Sequence, residues 1–225
     1  MTIDYHPIPP PPPDRLKQIE ATLLADLKPV RPLASAGVYF AALMGIFVAV
    51  CVIGCVMVGQ NGWRALSELQ KLGVFLPLTA VTAILAFSVV RQMTPASAHA
   101  RSSALISVGL FVVLLLIMAT IFQPSPESAF VRRGLVCFQI GMLFALPAAF
   151  LFALLLRRGA GLSPVLTGAT AGGLAGLVGL AVLEIHCPDL NVYHIVVWHV
   201  SVTLLCAVAG LVFSSVTFRR WTSNH

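Results

Sequence analysis

The sequence predicts an all-α polytopic membrane protein with six transmembrane helices and both termini cytoplasmic, and three observations carry that expectation. Hydrophobic residues make up 58% of the 225 and charged residues 10%, and the mean hydropathy is +0.94, outside the range of soluble globular domains. Uncharged runs long enough to cross a hydrocarbon core, which takes about 20 apolar residues, fall at about 36–58, 72–90, 103–122, 134–156, 163–183 and 195–218. Lys and Arg are distributed unevenly about these runs. With the N-terminus inside, the cytoplasmic segments hold Arg15, Lys17, Lys28, Arg31, Arg91, Arg101, Arg157, Arg158, Arg219 and Arg220, and the outer loops hold Arg64, Lys71, Arg132 and Arg133. Ten against four obeys the positive-inside rule. Anionic lipid at the cytoplasmic face accounts for the net charge of +6, so no direct nucleic-acid partner is expected.

The chain is expected to divide into a proline-rich leader (1–14), a cytoplasmic amphipathic segment (15–33), a transmembrane domain (34–220) and a short cytoplasmic tail (221–225). The leader has no basic region followed by an apolar one and does not read as a cleavable signal peptide. Pro7 and Pro9 to Pro13 make it an extended, polyproline-like spacer. In the next segment Leu16, Ile19, Leu23, Leu24 and Leu27 recur at three- and four-residue steps. A helix gathers them on one face and leaves Arg15, Lys17, Glu20 and Asp26 largely on the other. Pro29 and Pro32 then stop that helix. Leu16, Ile19, Leu23, Leu24, Asp26, Leu27, Lys28 and Pro29 are the candidate partner-binding residues, in the helix-in-groove mode of recognition. The same leucines can also lie in the acyl boundary of the bilayer with the basic residues on headgroups.

The first span carries Cys51 and Cys55 on one face near its outer end, where small core packing is the expected role. Trp63 and the amphipathic ALSELQKL that follows suit the membrane interface. Pro77 is expected close to the start of the second span, where its missing donor costs little. The third span is apolar on every side. The fourth is expected to begin after Arg132 and Arg133, with Cys137 in its first turn and Pro147 kinking its middle. In the fifth, Gly168, Gly172 and Gly176 recur at four-residue steps, joined by Gly173 and Gly179, a smooth surface for close helix packing.

The connection from the fifth to the sixth span is the densest polar cluster. Glu184, His186, Cys187, Asp189, His194 and His199 lie within sixteen positions without a Lys or Arg among them. Thiol, imidazole and carboxylate are transition-metal ligand types, which makes His186, Cys187, His194 and His199 the candidate ligands, although their spacing fits no closed zinc motif. Cys137 and Cys187 are both expected near the outer membrane face and can form a disulfide or a thiol sensor pair. His199 is the one ionisable side chain expected well inside a span. A neutral imidazole bonded to a neighbouring helix is the expected state. With no second buried His and no acidic residue expected inside a span, neither a haem nor an ion pathway is anticipated. No cofactor and no catalytic centre are expected.

The tail L-L-A-D-L-K-P-V-R-P-L (Leu23 to Leu33), the six spans, the glycine-rich fifth helix, and the His186-Cys187-Pro188 and Trp198-His199 elements resemble the NrsF family, negative regulators of sigma F. The resemblance runs from about Ile19 onward and leaves the proline leader outside. It implies a bacterial inner-membrane anti-sigma factor whose cytoplasmic tail binds an extracytoplasmic-function sigma factor and keeps it from RNA polymerase. It also implies that Cys137 and Cys187 match two outer-facing cysteines by which the group senses metal or oxidative stress. Cys51, Cys55 and Cys206 have no counterpart role. The H-x-x-x-C-x-x-C pattern of zinc-type anti-sigma factors is absent from the tail. The alternative expectation is a small membrane transporter, or a redox or metal-binding membrane protein, using the outer Glu/His/Cys cluster; only Gln139, Pro147 and His199 would serve transport at mid-membrane.

Overall fold

The computed structural model describes residues 13–26, 34–93, 100–125, 129–157 and 164–223. Among these residues the chain is helical apart from its connections and one isolated bridge between Gln123 and Asn191. It divides into two compact units, 1–33 and 34–225.

The first unit contains α1, Pro13–Asp26. Pro13 sits in the first turn, where an N–H would have no intrahelical acceptor, and Asp14 beside it complements the positive end of the helix dipole. The expected amphipathic helix is therefore present as far as Asp26. Ile19 and Leu24 are exposed, as are Lys17, Gln18 and Glu20. The proline leader up to Pro12, and Leu27, Lys28 and Pro29 with the expected stop, lie outside the described residues.

In the second unit α2 (Ala36–Val58) ends at Gly59. Its φ of +85° lies in the left-handed region that glycine adopts without strain, and its N–H donates to the Cys55 carbonyl. A short α3 (Asn61–Ala65) leads to α4 (Glu68–Met93), which starts ahead of the expected position 72. The reason is a capping box. The Ser67 N–H donates to Gln70 Oε1 at 3.0 Å, and the Gln70 N–H donates to Ser67 Oγ at 3.3 Å. A Lys71–Glu68 ion pair of 2.7 Å adds to the first turn. Pro77, expected near the helix start, accordingly lies inside α4, in its third turn.

The remaining elements are α5 (Ala100–Ile121), α6 (Phe130–Leu156), α7 (Pro164–His186) and a final region in three parts: α8 (Val192–His194), a π-helical turn (Ile195–His199) and α9 (Val200–Ser223). Among the described residues, Ala36–Val58, Glu68–Met93, Phe130–Leu156, Val165–His186 and Val192–Val216 are long and apolar enough to cross a membrane. The run expected at 103–122 is a helix as well, α5, whose described apolar part is Leu105–Ile121. Five helices of this kind make the chain a membrane protein.

α7 is the central helix. Every residue from Gly172 to Glu184 is buried, and α2, α4, α6 and α9 all pack on it. An all-round apolar helix needs such a surround. Its glycines decide how near the neighbours come. A Cβ on Gly168 would run into the Gly210 carbonyl and Ser214 Oγ, one on Gly172 into the Cys206 carbonyl, and one on Gly176 into the Thr203 Cα. On the other side a Cβ on Gly179 would meet the Gly141 carbonyl of α6. The stripe expected from the sequence thus seats α7 backbone to backbone on α9. A buried polar link joins α7 to α4, where Thr170 Oγ1 lies 3.4 Å from Gln92 Oε1. Large apolar side chains such as Val56, Leu69, Phe150 and Phe213 remain exposed on the outside of the bundle, as a lipid-facing surface requires.

The packing can be tested with two glycines of opposite surroundings. Gly176→Val overpacks the α7–α9 contact and is expected to lower stability by about 2–3 kcal/mol, read as a lower thermal midpoint in detergent. Gly45→Val, whose Cβ meets nothing within 4 Å, is expected to leave the midpoint in place. Equal losses in the two variants would show that close approach is not what Gly176 serves.

Candidate functional site

The site lies where α6, α7 and the α8–α9 region meet at one end of the bundle. α6 supplies Cys137 two turns from its start, not in the first turn, because the helix begins at Phe130 and takes in Arg132 and Arg133. Both arginines are exposed, so their long side chains reach solvent while the backbone stays helical. α7 supplies Glu184 in its last turn, and Cys187 follows directly after its end. The final region supplies His194 and His199.

The loop between them is built by local hydrogen bonds. Asp189 Oδ1 accepts from the Asn191 N–H at 3.0 Å, and Asn191 Oδ1 accepts from the Tyr193 N–H at 3.1 Å, capping α8. Asn191 Nδ2 donates to the Ser125 carbonyl at 2.8 Å and ties the loop to the segment after α5. From α3, Gly62 lies so close that a Cβ would stand 2.5 Å from the Cys187 carbonyl. Gly134 performs the same service in α6: its missing Cβ makes room for the Trp198 indole, one residue from His199.

The π turn aligns the two histidines. At 3.6 residues per α-helical turn, positions five apart differ by about 140° around the axis, so a regular helix would aim His194 and His199 at different neighbours. Here the Val200 N–H donates to the Ile195 carbonyl, five residues back, and the wider turn brings the second ring round beside the first. Their centroids are 5.2 Å apart, edge to face.

Four side chains converge. Cys137 Sγ and Cys187 Sγ are 3.5 Å apart and unbonded. His194 Nε2 lies 3.4 Å from Cys137 Sγ and 3.7 Å from Cys187 Sγ. One donor atom from each of Cys137, Cys187, His194 and His199 lies within 4.8 Å of all the others. His199 Nδ1 stands 2.8 Å from Glu184 Oε1, with both side chains buried. Its other nitrogen, Nε2, is buried without hydrogen-bond geometry to any described residue. Asp189 Oδ2 lies 3.6 Å from His194 Nδ1. The neighbouring Cys137 thiol, together with burial, pushes the Cys187 thiol up to about 11.

The expected site residues are therefore sorted by the structure. Cys137 and Cys187 are brought together, and His194 and His199 join them. His186 is half-buried and stands outside this group. Cys51, Cys55 and Cys206 also stand apart, the last with its Sγ 4.0 Å from Met142 Sδ. Two expectations are corrected. A second buried His does exist, since α8 starts at Val192 and takes His194 into the bundle, where it is fully buried. An acidic side chain also lies inside a span: α7 runs on to His186, past the expected end at 183, and Glu184 is 3% exposed. Its bond to His199 meets the expectation that this imidazole would pair with a neighbouring helix. Glu184 belongs to the polar cluster read from the sequence but is expected outside the span, because the apolar run stops one residue before it, and the histidine alignment escapes notice because a π turn leaves no mark on a 3.6-residue period. A cleft of about 850 Å³, lined by Ser125, Arg132, Arg133, Asp189, Asn191 and His194, opens onto both sulfurs.

A family model described as negative regulator of sigma F matches residues 23–221, from Leu23 of α1 to Trp221 of α9. The chain belongs to the NrsF family. The match spans both the thiol pair and the histidines, so the site is part of the NrsF domain and not an addition to it. The family description makes a sigma factor the partner. No curated protein and no solved structure matches the chain.

Closing a disulfide needs the sulfurs of this NrsF protein to approach by only about 1.5 Å. Diamide is therefore expected to link Cys137 to Cys187 within one polypeptide, read as the loss of two alkylatable thiols and a cross-linked peptide pair. Oxidation that joins Cys51 to Cys55 and leaves Cys137 and Cys187 alkylatable would contradict the geometry.

Proposed function

We propose that this chain is an anti-sigma factor of the bacterial inner membrane, with six spans and both termini in the cytoplasm. It holds an extracytoplasmic-function sigma factor through its N-terminal segment and releases it when a metal or oxidative signal in the envelope is sensed at Cys137 and Cys187. It acts by binding, with no catalytic step. The family match from Leu23 to Trp221 carries this reading. The convergence of two thiols at one end of the bundle supports the sensing half, and the exposed Ile19 and Leu24 of α1 support the docking half.

The energetics suit a reversible grip. Each aliphatic side chain buried in a partner groove contributes about 1.5–3 kcal/mol before ordering costs, so a helix of this length binds firmly with its full leucine set and poorly without it. Signalling then needs only a change in helix packing that alters the population of binding-competent tails.

Leu23→Asp combined with Leu27→Asp is expected to abolish co-purification of the sigma factor and to leave its target genes transcribed without any stress. Unchanged capture by the double variant would overturn the docking role. Deletion of everything before Pro29 provides the second measure, since silent target genes in that strain would do the same.

A further inference from the structure

We infer that Cys137, Cys187, His194 and His199 form a closed, four-coordinate site for one zinc-class divalent cation. The site shares its two thiols with the sensing reading above, but it stands without any sigma factor and is tested without one.

The donor spacing fits the ion. With metal–sulfur bonds of about 2.3 Å and metal–nitrogen bonds of about 2.0–2.1 Å, a tetrahedral centre sets its donors roughly 3.3–3.8 Å apart, with the sulfur–sulfur edge longest. The three separations measured among Cys137, Cys187 and His194 are 3.5, 3.4 and 3.7 Å. The fourth donor is the buried His199 Nε2, which has no hydrogen-bond geometry to a described residue, belongs to a ring fixed by Glu184 at Nδ1, and comes from a residue whose donor lies within 4.8 Å of the other three. A polar atom left without a hydrogen bond at 1% side-chain exposure costs free energy that coordination removes.

The surrounding groups are those a metal site uses. Glu184 behind His199 makes a carboxylate–imidazole pair that fixes the tautomer and points Nε2 inward. Asp189 stands behind His194 in the same relation, at a longer 3.6 Å. Two sulfurs and two nitrogens, with no oxygen among them, select a borderline-soft ion over magnesium or calcium. Binding releases one proton from each thiol to solvent, and the two thiolates then balance the charge of the cation. A neutral cluster is what a buried position at the end of a membrane bundle admits. The cleft leading to both sulfurs gives the ion its entry path.

The test uses the full chain, reduced and purified in detergent, titrated with Co2+ as a spectroscopic stand-in and competed with Zn2+. The expected result is one Co2+ per chain, with intense tetrahedral d–d bands and a thiolate charge-transfer band, all removed by one equivalent of Zn2+. His199→Ala and Cys137→Ser are expected to lose these bands, and Glu184→Gln to weaken binding by about 10–100-fold. A Cys51→Ser, Cys55→Ser, Cys206→Ser triple variant is expected to keep them. Because a site variant can fail to fold, the same polypeptide supplies its own control. Diamide takes two electrons and two protons from the thiol pair, which should abolish Co2+ binding until dithiothreitol restores it. A weak octahedral spectrum in the reduced chain, or bands unaffected by oxidising Cys137 and Cys187, would overturn the site. Metal binding without sigma-factor capture would count against the anti-sigma reading alone, and capture without metal binding against the site alone.

Discussion

The contact that everything else in the membrane unit depends on is the backbone-to-backbone seating of α7 on α9. Lipid tails are as apolar as leucine, so helices inside a bilayer gain nothing from burying hydrocarbon against one another. What remains is close van der Waals fit, and the carbonyls of Cys206 and Gly210 occupy the space where Gly172 and Gly168 have no side chains. Repeating that contact over three turns sets the axial register of two long helices. Among the described residues, no other pair of helices packs over so long a stretch as α7 and α9.

That register is what assembles the polar end. Glu184 and Cys187 sit at the end of α7, and His194 and His199 at the facing end of the partner helix, so one slip of α9 would separate both pairs. Gly179 extends the same principle to α6 through the Gly141 carbonyl, and Gly134 admits Trp198, which together bring Cys137 to the other two strands of chain. Polar groups at such a position are costly unless each has a partner. Glu184 and His199 Nδ1 meet that condition by facing each other, and the three loop bonds of Asp189 and Asn191 hold the mouth of the site in place.

Much of the architecture could be read directly from residues. Uncharged runs marked the helices, the four-residue glycine spacing marked the tight face of α7, and leucine periodicity marked α1. Boundaries were read less well, for physical reasons. The Ser67-to-Gln70 capping box starts α4 inside a segment that looks amphipathic, and Arg132 and Arg133 are helical although they are charged, because only their tips need water. The site was legible as a set of residue types but not as an arrangement. The pairing of Cys137 with Cys187 was expected from their common place near the outer face, but that His194 and His199 close on the two sulfurs was not, because tertiary packing and the π turn bring them there. His186 shared every sequence credential of its neighbours and was left out by the azimuth of the last turn of α7.

The π turn at Ile195–His199 has a consequence for how such a protein can diversify. A wide turn is one surplus residue accommodated within a helix whose flanks remain regular. Beyond it, α9 keeps the alignment that the glycines of α7 demand; before it, the imidazoles are released from that alignment and obey only the geometry around the sulfurs. Grip and packing are thereby uncoupled along a single rod, so selection can retune the donor set without reopening the seam that holds the bundle together.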